Sequence, residues 1–553
     1  MLTTFQKDIV SECMRKKRGC ICVPMGSGKT LMSLYITTLI HDSMPALIVC
    51  SKTLLGNWVA EIEKFFDKSL KYDVFHKDYM TQTEFDSYIP DAGTDIVITT
   101  PEVLTKIYKE SMIDSKFVEM TFEDRGGIFP VGVKRYLLPR RPFLRSIQTN
   151  INANSFVYYI TWKCMIIDEI QQFSNIESSR CAAISAVYSK YRFGTSGTPV
   201  TEPKIERILG YYCMIGDTTF PNCKPDVERY IKSDEYPGLN STMIVRTRVD
   251  FELPKCSECI ISHDLTQEEI SIYATLKNVV VNLTKAIALN RHNANLVRTL
   301  HADVLTMIMY MRQFLVCPLI PYANIMLNYK ITELSTQFVR SIQNLNLNHW
   351  LNDPVASKSS RILRIIDTVN KHTTERCIIF TCFRLNLNVI KHYVFEDTRR
   401  PVFVLNSKDS SCARTSTISN FEETTNGILL LTYNIGSEGL NLQKSHIVLL
   451  ADVWWNDAKV AQAIARVMRR GQTEEVKVYL FTSQTGIENG LYDKHIDKRN
   501  LINSLMCGKM NGEIRNLSMK EIVKMIIDDA NTNKLKDARL LTVSDSKITI
   551  CTS

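Results

Sequence analysis

Seven consecutive residues, Pro24-Met25-Gly26-Ser27-Gly28-Lys29-Thr30, follow an apolar run at 20–23 and precede a stretch with helical spacing. That combination suits a phosphate chain. Gly26 and Gly28, with Ser27 between them, let backbone N–H groups turn inward around phosphate oxygens; Lys29 can reach the β- and γ-phosphates, and the Thr30 hydroxyl is placed to bind Mg2+. The strict G-x-x-x-x-G-K-[ST] spacing is not met, because Val23 stands where the first glycine would be. A second apolar run, 164–167, ends in Asp168-Glu169 and continues to Gln171. One carboxylate can hold the Mg2+ shell and the other can polarise a water, the two tasks of nucleotide hydrolysis. Alone, such an ending also reads as a helix cap; together with Lys29 it reads as a hydrolytic pair. Thr195-Ser196-Gly197-Thr198-Pro199 follows another apolar run and is suited to link hydrolysis to motion. Far along the chain, Arg466 and Arg469 stand three apart. On a helix that spacing puts both guanidiniums on one face, able to enter a phosphate site together or to form a solvated basic surface.

These residues need elements to hold them. Short apolar runs at 20–24, 46–50, 95–99, 164–167 and 191–196 alternate with helix-length segments, and the rhythm returns at 376–381, 401–405, 427–432, 446–452 and 476–481. Continuous apolar runs separated by helical patterns are the mark of parallel βαβ units, so the fold class expected is α/β with two parallel-sheet domains in tandem. Between them long helical periodicity, at 265–289 and 302–316, predicts a mainly helical insert. The boundaries expected are 1–205, 206–350, 351–505 and a tail of unknown role at 506–553.

Composition narrows the classes. The chain has 553 residues, 45% hydrophobic and 23% charged, which excludes a mainly disordered protein. No apolar run approaches the ~20 residues of a membrane-spanning helix, and the first residues lack the pattern of a signal peptide. The expectation is a soluble intracellular protein with no membrane partner. The net charge of +9 permits a polyanionic partner without demanding one. Cys256 and Cys259 form a C-x-x-C, with Cys213, Cys223 and His263 as conceivable further ligands. A zinc site usually needs two such pairs, so buried free thiols are the expected reading of the 16 cysteines.

Taken in order, the motifs resemble the helicase superfamily two ATPases, and within them the Swi/Snf-type double-stranded DNA translocases. Gln6 looks like that family's adenine-reading glutamine; 51–58 with Glu61, and 98–104, are similar to its next two motifs. Val245-Arg246-Thr247-Arg248, Met311-Arg312-Gln313 with Cys317-Pro318-Leu319, the segment 434–442, and Asp452-Val453-Trp454-Trp455-Asn456 resemble segments peculiar to the Swi/Snf type. The acid box departs from the family in carrying Gln171 where His is commoner. The resemblance implies two RecA-like domains with ATP between them. Gln6, Lys29, Thr30, Asp168 and Glu169 would come from the first, Arg466 and Arg469 from the second, with Gly439 also on the nucleotide. It implies Mg2+ on Thr30 and Asp168, and a strand gripped near Lys52, Thr100, Cys382-Phe383-Arg384 and Ser437. Trp454 and Trp455 read as packing residues. A basic, aromatic-bearing stretch at 134–145, including Arg140 and Arg141, reads either as a further backbone contact or as a packed loop. The partner implied is double-stranded DNA rather than RNA, with an RNA polymerase or transcription complex as a further expectation. Compactness resembles the nucleoside triphosphatases of large DNA viruses, which places the chain in a nucleus, or in a virion and its host cell. A strand-separating helicase and an ATPase-dead scaffold are the competing readings.

Overall fold

The computed structural model describes residues 2–24, 26–42, 44–91, 93–113, 156–198, 204–216, 224–231, 233, 243–245, 254–321, 358–436, 440–454, 457–469, 471–483, 485, 487–488, 491 and 547–552. By packing, the described residues divide into two units, the first within Met1–Glu252 and the second within Leu253–Asp497 together with residues 547–552.

The first unit is built on a parallel sheet. Its strands are β1 (Arg18–Cys22), β2 (Ala46–Val49), β3 (Tyr72–Phe75), β4 (Ile96–Thr99), β5 (Trp162–Ile167), β6 (Ser189–Ser196) and β7 (Ile244–Val245), in the spatial order β3-β4-β2-β5-β6-β1-β7. The central strands are apolar on both faces because helices cover both. Alternate residues of one strand feed different cores: Leu47, Val49, Val97, Met165 and Ile167 pack on one side, Ala46, Ile48, Ile98, Cys164 and Ile166 on the other. Parallel pairing also brings every strand's carboxyl end to one edge, where the phosphate loop, the 168–171 turn and the 195–198 loop emerge.

The second unit repeats the plan with β8 (Cys256–His263), β9 (Cys377–Thr381), β10 (Val402–Val404), β11 (Ile428–Thr432), β12 (Ile447–Leu450), β13 (Val476–Ser483) and β14 (Lys547–Thr552), in the order β10-β11-β9-β12-β13-β8-β14, all parallel. The α/β class with two parallel sheets is therefore observed. Four strands, β3, β7, β8 and β14, depart from the sequence reading. β3 and β7 were not expected. β8 lies in the stretch expected to be helical, and pairs with β13 over its whole length. β14 lies in the tail. β3, β7 and β14 lie at sheet edges, and β8, between β13 and β14, alternates buried and half-buried residues and so lacks the continuous apolar run that marks a central strand.

The described residues of 206–350 pack partly in the first unit and partly in the second. Helix Ile205–Ile215 packs into the first core through Ile208, Leu209, Tyr212 and Met214. The two long helices expected there are present as Gln267–Leu289 and Ala294–Phe314; they pack on each other and on Ile487 of the second unit. The C-x-x-C sits on β8, where residues three apart point to opposite faces, so Cys256 and Cys259 cannot close on one ion. No disulfide occurs among the described cysteines, nearly all of them buried.

Candidate active site

The phosphate loop leaves β1 and enters the helix Lys29–Leu39, with Gly26 and Gly28 both at φ 79°, the left-handed region that a β-carbon disfavours. A β-carbon on Gly28 would also stand 2.5 Å from Gln6 Nε2. Gln6 is buried against this loop: its Nε2 donates to Ser27 O at 2.9 Å and its Oε1 accepts from Thr3 N at 3.1 Å. The residue expected to read adenine thus also fastens the loop to the start of the helix Thr4–Lys16. Ser27 Oγ donates to Pro24 O, and Lys29 Nζ donates to the carbonyls of Val23 at 3.3 Å and Pro24 at 3.4 Å.

Across the sheet edge, Asp168 follows β5. Its Oδ1 accepts from Thr195 Oγ1 at 2.6 Å and from Glu169 N at 3.0 Å, and its Oδ2 accepts from Trp58 Nε1 at 3.0 Å. Glu169 has φ 49° and ψ 48°, a conformation that costs a non-glycine residue on the order of 1 kcal/mol and marks functional turns. That twist turns the chain back into the short turn Ile170–Gln172. Gln171 is buried there and its Nε2 donates to Glu169 Oε2, so the glutamine of the acid box orients the candidate water-polarising carboxylate. Gly194 on β6 makes room, since a β-carbon would meet Ile170 at 2.6 Å. Thr30 and Asp168 present only oxygen donors, which suits a hard cation such as Mg2+ that completes its shell with phosphate oxygens and water.

Trp58 and Thr195 were not expected as partners of Asp168. The signal for Trp58 lies in register: β2 pairs with β5, and Asp168 N donates to Val49 O at 2.9 Å, so the segment after β2 must pass beside Asp168. Strand order is not written in the local sequence, and neither is that adjacency.

Of the strand-gripping candidates in this unit, Lys52 is exposed and ion-paired with Asp78 at 2.7 Å. Thr100 is fully buried, and its Oγ1 accepts from Val103 N at 3.3 Å. Its hydroxyl caps the helix Pro101–Ile113.

In the second unit, Arg466 and Arg469 do not share a helix face. The helix Asp457–Ile464 ends before them, and both lie on successive tight turns. The turns are closed by Arg466 N donating to Ala463 O at 3.1 Å, Val467 N to Ile464 O at 3.0 Å and Arg469 N to Val467 O at 3.0 Å. Arg466 Nε donates to Gly436 O at 3.2 Å and Arg469 Nε to Ala465 O at 3.3 Å. Gln472 Nε2 ties the end of the segment to the carbonyls of Gln443 and Ser445.

Two of the Swi/Snf-type segments, 311–313 and the one beginning at Asp452, meet beside the 382–384 loop. The buried Asp452 carboxylate accepts from Thr381 Oγ1 at 2.7 Å, Cys382 N at 2.8 Å and Asn386 Nδ2 at 3.0 Å. Burial pushes its pKa up, against the hydrogen bonds from Cys382 and Thr381. Arg312 Nη2 donates to Val453 O at 2.7 Å, and its guanidinium lies 5.1 Å from the Phe383 ring centre. The network holds the 382–384 loop and leaves Arg384 exposed at the start of the helix Arg384–Thr398. Trp454 packs on Tyr433, as a packing residue should. Ser437, Gly439, Arg140, Arg141 and Trp455 lie outside the described residues.

Comparison with known proteins agrees with this architecture. Residues 8–213 match the family described as SNF2-related domain, and 357–471 match the helicase conserved C-terminal domain. A helicase-named protein, 172L, of Invertebrate iridescent virus 6 is 25% identical over 547 residues, covering 89% of this chain and 85% of its own. An uncharacterized ATP-dependent helicase of Mycoplasma pneumoniae is 22% identical, covering 92% and 42%. The chromodomain-helicase-DNA-binding protein 1-like of Danio rerio is 21% identical, covering 94% and 46%. The chain therefore spans most of the viral relative and under half of the other two. The Sulfolobus solfataricus SWI2/SNF2 ATPase core in complex with dsDNA aligns over 95% of this chain and 97% of its own, at 21% identity and TM-score 0.36. Among the described residues no helix is long and apolar enough to cross a membrane. With an SNF2-related domain carrying the phosphate loop and acid pair, and a helicase C-terminal domain carrying the arginines, the chain belongs to the Swi/Snf-type ATPases of helicase superfamily two and is a helicase-like ATP hydrolase.

Proposed function

We propose that this hydrolase is a motor that couples ATP turnover to movement along double-stranded DNA. The observation that carries the reading is the buried network joining Arg312, Phe383, Asp452 and Val453. It draws two separate Swi/Snf-type segments together with the 382–384 loop and leaves Arg384 exposed for a phosphate backbone. The name of the Danio rerio relative includes DNA binding, which supports the same partner.

In this reading the loop N–H groups and Lys29 bind the phosphates of ATP. Glu169, held by Gln171, takes up a proton from the attacking water. Asp168 and Thr30 hold Mg2+, which when bound neutralises charge developing on the β- and γ-phosphates. Arg466 and Arg469 act as arginine fingers, and Lys52 and Arg384 grip the strand by phosphate contact, which makes binding sequence-tolerant and salt-dependent. The partner class is an assembly that works on duplex DNA, an RNA polymerase among the candidates.

Steady-state ATP hydrolysis measured alone and with duplex DNA, single-stranded DNA or RNA tests it. The expected outcome is stimulation by duplex, lost by about 10²-fold or more in Lys29→Ala and in Glu169→Gln. Stimulation by single strands or RNA alone would replace it with the strand-separating reading. Absence of hydrolysis under every condition would replace it with the scaffold reading.

A further inference from the structure

The hydrogen bond from Trp58 to Asp168 joins two places that the proposed function treats separately. Trp58 lies in the helix Leu55–Phe66, which continues directly from the short turn Lys52–Leu54. Lys52, on that turn, is exposed and available to a phosphate backbone once it leaves Asp78. Six residues later, Trp58 is buried with its ring in the core formed by Leu55, Ile62, Ile48 and Cys50, and its Nε1–H reaches Asp168 Oδ2. A buried indole N–H finds an acceptor almost anywhere. Here the acceptor is the candidate metal carboxylate itself, and the bond fixes the oxygen that Thr195 and Glu169 N do not touch.

We propose that Trp58 is a positioning residue for Asp168 and that, through the Leu55–Phe66 helix, it couples strand binding at the Lys52 turn to the carboxylate that holds the metal. A helix transmits displacement of its first turn as a rigid element, so a backbone phosphate drawing on Lys52 moves Trp58, and the Nε1–Oδ2 bond carries that movement to Asp168. Without the bond, Asp168 keeps two donors on Oδ1 but loses the restraint on Oδ2. Hydrogen-bond partners of metal-ligating carboxylates typically contribute 10–100-fold to metal affinity.

This inference rests on the function proposed above. The test is equilibrium binding of a fluorescent ATP analogue to the full chain, with Mg2+ or with EDTA, and with or without saturating duplex DNA. Trp58→Phe keeps a ring in the core and removes only the donor. In the parent protein, Mg2+ tightens analogue binding and duplex tightens it further. In Trp58→Phe, binding with Mg2+ should weaken about tenfold, binding with EDTA should be unchanged, and the effect of duplex should vanish. In an Asp168→Asn background, Trp58→Phe should add nothing, because its effect runs through that carboxylate. A Trp58→Phe protein matching the parent in every arm overturns the inference while leaving the proposed function standing. So does a loss that persists with EDTA or in the Asp168→Asn background, which would make Trp58 a packing residue only. A parent whose analogue binding responds to neither Mg2+ nor duplex overturns both.

Discussion

At the scale of single residues, burial converts ordinary side chains into conditions on pH. His263 at the end of β8 is 2% exposed, and neither ring nitrogen has a hydrogen-bond partner among the described residues. Burial, reinforced by Arg361 and Arg364, pushes its pKa from 6.5 down to about 2. The folded protein therefore holds this imidazole neutral, while the unfolded chain protonates it below 6.5. The stability it contributes is complete above pH 6.5 and is lost as pH falls from there toward 2. Replacing His263 with Leu removes the proton uptake on unfolding. Relative to the parent, His263→Leu should gain about 2 kcal/mol between pH 7.5 and pH 5, read by urea unfolding at both pH values. An equal offset at both pH values would show that His263 does not titrate on unfolding.

At the scale of elements, small residues decide how closely helices approach the site. Gly210, in the middle of the helix Ile205–Ile215, faces the backbone of the segment that follows Gln171. A β-carbon there would lie 1.7 Å from Ser174 O. Neither partner is a flexible side chain, so the helix or the turn must shift. Ser174 Oγ donates to Gln171 O at 3.1 Å, which ties that shift to the residue holding Glu169. Gly210→Ala should destabilise the first unit by about 3 kcal/mol, the upper end of overpacking costs. Thermal unfolding would register that loss, and ATPase activity should fall with it at temperatures where the variant is still folded. The corresponding anchor in the second unit is ionic. Arg361 and Glu488 are buried and bonded at 2.6 and 2.8 Å, fastening the helix Ser360–Asn370 to the residues after β13.

At the scale of the whole molecule, the proposed function assigns different parts of one reaction to the two units. Phosphate-binding groups and the acid pair are all in the first, and the candidate arginine fingers are in the second. Arg466→Ala should therefore leave Mg2+-dependent binding of an ATP analogue within about twofold of the parent while lowering kcat by about 10³-fold, the low end for an arginine finger. Lys29→Ala should lose binding itself. Isothermal titration of both variants beside turnover assays separates these outcomes. Equal loss of binding in both would mean that Arg466 supports the nucleotide's ground state rather than its transition state.

Much of this was legible in the residues alone. The phosphate loop, Asp168-Glu169 and the order of motifs depend on side-chain type and short spacing, which sequence states directly, and the buried central strands announce themselves as apolar runs. Of the strands that escaped notice, β3, β7 and β14 lie at sheet edges and β8 lies beside one. β8 alternates because one face is half-buried, and its C-x-x-C imitates a ligand pair only until strand geometry sends the two thiols apart. Arg466 and Arg469 show the same limit. Their spacing fits a helix, and so does the burial of Ala463, Ile464, Val467 and Met468, yet the backbone closes tight turns there that no local period foretells. Pairings between distant segments belong to tertiary structure alone. Trp58 meets Asp168 because β2 lies beside β5, and Arg312 meets Cys382 and Val453 across 70 and 141 residues of chain. Strand order and helix packing are set by how whole apolar faces fit together, so the contacts that position the chemistry arise only when the sheets are assembled.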